Sequence, residues 1–343
     1  MSSKTKVLCL KPGRKQVQTG LTLVELLVAL MISSVIAIAA ISALIVSRHG
    51  FTTVDAASQL RDNARFATDM LQRFGVQTGF TDVADATTVW PKDAAGVPIG
   101  NPIPNVGGFN NALISETDPQ NVSTARTVVT SLGFGSDILI LRYQVAETFP
   151  KSGISDLSMI TCFGNPNPTA DLPTAPGDRQ ANILFVGVDS NGEPGLRCKT
   201  SDVTRGSQPL VRGVENFQVL YGVDGVTANT ETTVAKADIA TNYLRADQMA
   251  VPSDPTSEKT NANWRRVRSI KVGMVIRGPV GSAQSAISQT YFPLGKAVSV
   301  AGGTPGSALS SAADAGTSFT PPADTRLRQV VTFTIHLRNE QGL

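Results

Sequence analysis

LTLVELLVALMISSVIAIAAISALIV, residues 21–46, is the stretch on which the reading of this 343-residue chain turns. It holds one charge, Glu25, in 26 residues, and as a helix it would extend roughly 39 Å. A bilayer core needs about 20 such residues, so a complete membrane span is expected here. Lys4, Lys6, Lys11, Arg14 and Lys15 lie on its N-terminal side with no acidic residue among them, whereas Arg48 and Arg61 beyond it are mixed with acids. The positive-inside rule then predicts a cytoplasmic N-terminus and a body on the far side of the membrane.

Three origins for such a segment compete. A cleaved signal peptide would find small-residue sites at Ala37-Ile38-Ala39 or near Ala43. Its apolar region, though, is shorter than this one and carries no carboxylate. A plain signal anchor leaves Glu25 unexplained, and a lone ionisable group in an apolar span costs about 3 kcal/mol and marks a functional position. The third reading starts from Gly20-Leu21-Thr22-Leu23-Val24-Glu25-Leu26. This string resembles the prepilin (class III) signal of type IV pilins and type II secretion pseudopilins.

The resemblance implies that a prepilin peptidase cuts between Gly20 and Leu21 on the cytoplasmic side, so that the apolar stretch is retained. Leu21 then becomes the N-methylated terminus, standing where the family usually has Phe. Glu25 takes the fifth mature position. There its carboxylate would neutralise the terminal amine of a neighbouring subunit inside an apolar bundle, relieving the desolvation cost of both charges. Any other stagger leaves a charge unpaired, so Glu25 would set subunit register. The plainer role for Glu25 is a helix-start carboxylate that favours the helix dipole and reaches the headgroups.

Past Gly50 the pattern turns amphipathic. Phe51, Val54, Ala57, Leu60, Ala64, Ala67, Leu71 and Phe74 recur at spacings of three and four, predicting one apolar helical face over 47–79. Gly50 weakens that helix, and Gly75 and Gly79 are stop signals. Residues 80–125, rich in Gly, Pro, Asn and Asp, read as a loop region. Strand-like runs follow at 126–132, 137–145, 157–163, 182–189, 196–199, 210–222, 265–277 and 326–338 within a β-rich head, 126–343. Asn191-Gly192 reads as a hairpin turn, and 301–322 as a flexible Gly/Ser/Ala/Pro loop. The expected fold class is α+β: a long N-terminal helix, transmembrane then amphipathic, packed on a mainly antiparallel β-sheet head with long loops.

With 41% hydrophobic and only 17% charged residues, the chain can bury a core and is not disordered overall. The net charge of +3 comes from the first twenty residues. Removing their five cations leaves 25 basic against 27 acidic residues, a near-neutral body that argues against nucleic acid as the primary partner. Cys9 lies in the leader, so its removal leaves one pair, Cys162 and Cys198, as an exported protein would have. A bridge across that loop of about 36 residues would contribute roughly 4 kcal/mol in the chain-entropy estimate.

There are two histidines, His49 and His336, and no Cys/His cluster, HExxH, GxSxG or P-loop. No catalytic residue, metal site or cofactor is therefore expected. Asp189-Ser190-Asn191-Gly192-Glu193 faintly resembles part of a calcium loop, but the hairpin reading is better supported. Arg265, Arg266 and Arg268 read as a solvated strand face. Gly213–Asp224, the stretch from Trp264 to Val272, and Leu327–Asn339 resemble PilW-like minor pilins. That resemblance implies a non-enzymatic minor pilin of a tip or priming complex. Its partners would be prepilin peptidase, the inner membrane, and other minor and major pilins. A minor pseudopilin of type II secretion and a membrane-anchored periplasmic binding or enzymatic domain are the alternatives.

Overall fold

The structure, a computed structural model, describes residues 20, 22–81, 99–150, 152–164, 179–286, 288–296 and 314–339. The first element, helix α1, runs from Leu23 to Gln77, and the chain divides into two compact units within it, residues 1–51 and 52–343. In the first unit α1 is unbroken through Gly50, and each of its side chains is exposed.

In the second unit α1 is half-covered. Ala56, Leu60, Ala64, Ala67, Leu71 and Phe74 form a buried stripe, while Phe51 and Val54, expected on the same face, are exposed. Apolar periodicity marks a face, but it does not say how far the covering sheet reaches. Gly75 is not a stop. It stays in the helix because a Cβ there would sit 2.2 Å from Ile335 Cγ2, so the missing side chain admits the strand. The helix stops at Gln77, and Gly79 just beyond it takes φ 74° and donates its N–H to the Arg142 carbonyl at 2.8 Å.

The head contains two main antiparallel sheets. The five-stranded sheet has the order β1 (Val106–Phe109), β4 (Ile138–Tyr143), β5 (Gln180–Val188), β6 (Pro194–Thr200), β7 (Gln208–Arg212). The four-stranded sheet has the order β11 (Arg328–His336), β10 (Val267–Arg277), β8 (Val214–Val223), β9 (Asn242–Leu244). A short ribbon pairs β2 (Ala112–Ile114) with β3 (Ser123–Ala125). One continuous core receives the α1 stripe from Leu60 to Phe74, Leu139, Leu184 and Leu196 from the first sheet, and Phe217, Val219 and Val272 from the second.

The run expected as a single strand over 210–222 serves both sheets. Gly213 has φ 81°, and a Cβ there would lie 2.4 Å from the Arg277 carbonyl oxygen. Its N–H donates to Pro194 O and its carbonyl accepts from Arg277 N, each at 2.8 Å, so the corner joins β6 to β10. A second junction lies before β4. The buried Asp137 carboxylate accepts from Asn111 N at 2.9 Å and Val219 N at 2.8 Å, and the Asp137 N–H donates to Phe217 O. Burial drives its pKa well above the ordinary value, and the two amide donors oppose that rise.

Several expectations need correction. Region 80–125 is not simply loop: β1, β2 and β3 lie in it, each too short to show a period of two, and β1 carries two glycines. Residues 82–98 lie outside the described residues. The run 126–132 forms no strand; Arg126 is buried instead and donates to Ala112 O and Val186 O. Nor does 157–163, where Leu157 has φ 62°. A short helix α2 (Glu258–Trp264) gave no clear periodic signal at seven residues. It places Trp264 edge-on to Tyr221 with centroids 4.7 Å apart.

Gly213→Ala should destabilise the protein by about 3 kcal/mol, combining left-handed strain with the clash at Arg277 O. A urea-midpoint shift of that size checks the corner role; an unshifted midpoint would refute it.

Candidate functional site

The start of α1 is closed by its own side chains. Thr22 N–H and Thr22 Oγ1 both donate to Glu25 Oε2, at 2.9 and 3.0 Å, and Glu25 N–H donates back to Thr22 Oγ1 at 3.3 Å. This is a capping box: a Thr and a Glu three residues apart satisfy two amides that the first helical turn leaves without partners. The Glu25 carboxylate thus has an intramolecular partner, and it also sits at the positive end of the helix dipole. Thr22-x-x-Glu25 has the sequence spacing of such a box, a signal that is local to the helix start and independent of the membrane. Gly20 is exposed; Leu21 and residues 1–19 lie outside the described residues.

Beyond the cap, α1 offers apolar side chains in all directions. Leu23, Met31, Val35, Ile38 and Val46 are all more than 60% exposed. Among the described residues this is the one helix long and apolar enough to cross a membrane, and none of its apolar window is buried within the chain. Such a surface demands a lipid or a protein environment.

The far end of α1 is held by a different device. Gln77 is buried; its Nε2 donates to Ile160 O at 2.8 Å and its Oε1 accepts from Ile160 N at 3.4 Å. Two residues on, Cys162 is bonded to Cys198 of β6, with Cα atoms 6.2 Å apart, and Cys162 N–H donates to Asn182 Oδ1 on β5. The bridge therefore fastens a strand-free segment to the five-stranded sheet, and that segment fastens the helix end. Sequence reading did not single out Gln77, because a glutamine on a helix carries no signal of burial.

Other candidates resolve into structure. Asp189 Oδ1 accepts from Asn191 N and Glu193 N, with Gly192 at φ 78°, so the stretch closes the β5–β6 hairpin. Among the described residues no group of three His, Cys, Asp or Glu could hold a metal. The three arginines are not a solvated face. Arg265 is buried and donates to Pro102 O, Arg266 donates to Val234 O, and Arg268 pairs with Asp238 at 2.7 Å. His336 is exposed on β11.

Two family models match the chain. The prokaryotic N-terminal methylation motif covers residues 15–41. The Type IV Pilus-assembly protein W family, PilW, covers 183–339, from β5 through β11. This is a type IV pilin-like protein. No curated protein matches it. Among solved structures, a type IV-like pilin from Thermus thermophilus is similar over 82% of this chain and 98% of its own, at 12% identity and a TM-score of 0.37. The assignment rests on the two family matches and on the α+β architecture. The pilin-like protein is a structural, non-enzymatic membrane protein with one apolar N-terminal helix as its anchor.

In the oxidised pilin-like protein neither Cys162 nor Cys198 should react with iodoacetamide until reductant is added. The Cys162→Ser, Cys198→Ser double variant should lose up to about 4 kcal/mol in urea unfolding. Labelling of either thiol in native protein without reductant would refute the bridge.

Proposed function

We propose that the pilin-like protein is a minor pilin that joins other pilins in a tip or priming complex for type IV pilus assembly. Prepilin peptidase would cut between Gly20 and Leu21 and Leu21 would be N-methylated. The leader cations would hold the N-terminus in the cytoplasm and place the head in the periplasm until assembly. The observation that carries this reading is an apolar helix, exposed on every side, that opens on a capped carboxylate at Glu25. A helix used only as an anchor needs the apolar surface and a cap, and a neutral glutamine would close that cap without placing a charge in the span. The PilW match over most of the strands favours a pilus over a secretion pseudopilus.

The capping box sharpens the role of Glu25. In the lone subunit the carboxylate is satisfied by Thr22; in a polymer the terminal amine of a neighbour would compete for it. A glutamine can still accept from Thr22, so the cap survives Glu25→Gln while the charge is lost. The variant should therefore be processed and inserted normally, yet enter pili roughly 100-fold less, since an unpaired buried charge costs about 3 kcal/mol. Mass spectrometry of the N-terminus and immunogold counts of pili read the two arms. Normal incorporation of Glu25→Gln would show that Glu25 serves only as a cap. A mature terminus other than methylated Leu21 would remove the pilin processing itself.

A further inference from the structure

Four strands bound the two main sheets, and three of those edges are blunted. β1 has four residues with Gly107 and Gly108 among them, β9 has three, and β7 carries Pro209. β11 differs: nine residues, no proline or glycine, in unbroken register with β10 alone. Gly278 N donates to Leu327 O and Leu337 N to Arg268 O, which sets the alternation of the ladder. Gln329, Val331, Phe333 and Ile335 turn their backbone groups toward β10. Val330, Thr332 and Thr334 turn theirs outward, and no described residue receives them. A long regular edge with free donors and acceptors is a template for another strand.

The edge also borders a groove. Between α1 and β11 lies a cleft of about 400 Å³ lined by Arg61, Arg65, Asp69, Gln329 and Val331. A second cleft of about 760 Å³ shares Asp69 and continues past Arg73 to Arg338. Among the described residues, no ion pair involves Arg61, Arg65, Arg73 or Arg338. Arg61, Arg65, Asp69 and Arg73 follow one another at i, i+4, a rise of roughly 6 Å per step. Alternate side chains of an extended strand are spaced by about 6.8 Å. A strand added to β11 would therefore face this row nearly in step.

We infer that the outer edge of β11 and the arginine-lined groove beside it bind an extended acidic segment of a partner polypeptide, added to the sheet as a further strand. Backbone pairing at Val330, Thr332 and Thr334 would supply affinity. Acidic side chains at alternate positions, with an uncharged one opposite Asp69, would supply selectivity through Arg61, Arg65 and Arg73. This goes beyond the minor-pilin reading and does not depend on cleavage at Gly20 or on Glu25.

The test uses the full chain in detergent micelles. Its probes are a nine-residue Thr/Val peptide with alternating Glu and one Ser, the same peptide with Lys for Glu, and a mixed-sequence DNA duplex. The acidic peptide should bind and slow amide exchange at Val330, Thr332 and Thr334, while the Lys peptide should not. Thr334→Pro removes an outward N–H and leaves the β10 ladder intact, and should weaken binding about tenfold. Arg65→Glu with Arg73→Glu lies on the exposed side of α1, so its folding is not at stake. It should weaken the acidic peptide about tenfold and admit the Lys peptide. The inference is overturned by outward amides already protected in the free protein, by binding insensitive to both variants, or by binding of the DNA without the acidic peptide.

Discussion

One helix has to live in two environments, and the rest of the molecule follows from how that is resolved. Over 56–74 the chain supplies its own cover, so only one stripe of α1 is apolar and small residues recur in it. Ala64 and Ala67 keep the helix close to the sheets, and Gly75 lets Ile335 approach where no side chain could stand. Over 23–46 the described residues supply no cover, and the apolar character runs around the whole circumference. Chain-borne packing stabilises the first part; the second depends on whatever surrounds the protein.

Holding the covered half in place requires the two sheets to act as one body. Gly213 passes the chain from one sheet to the other by a turn only glycine tolerates there, and Asp137 ties the start of β4 to β8 through backbone amides. Glu215, at the beginning of β8, is held by Arg328 of β11 at 2.6 Å and Arg277 of β10 at 3.0 Å. Arg277 also pairs with Glu193 and Arg328 with Asp324, each at 2.7 Å, so the three charges belong to a wider network in which each is paired. These contacts explain how Leu60, Leu71 and Phe74 find a continuous apolar floor.

Where a physical rule acts locally, the sequence was readable. The span, the Asn191-Gly192 hairpin and the strand-like run over 326–338 each depend on residues within one element. Where the rule acts between distant segments, it was not. Nothing near Gly213 distinguishes a corner from a weak point in a strand, because the reason lies at Arg277 O. Arg265, Arg266 and Arg268 look like a wet face until the carbonyls and carboxylate that receive them are brought together by the fold. β1–β3 were missed because strands of three or four residues are held by neighbours, not by intrinsic preference. Phe51 and Val54 kept the helical period but lie uncovered.

The capping box changes what the Glu25 carboxylate can be said to contribute. A charge with no partner in the single subunit would penalise the membrane-inserted state and push toward any neighbour that offers a cation. With Thr22 donating twice, much of that penalty is already offset inside the subunit. The proposed pairing with a neighbour's amine would then exchange neutral donors for a charged one, and the gain would be the difference between the two and not the whole of an ion pair. In the proposed pilus a modest net gain would suit a reversible polymer, whose subunit would be stable in the bilayer, prefer the correct stagger and be able to leave again. On the proposed reading, the cap and the register role would be two states of one carboxylate.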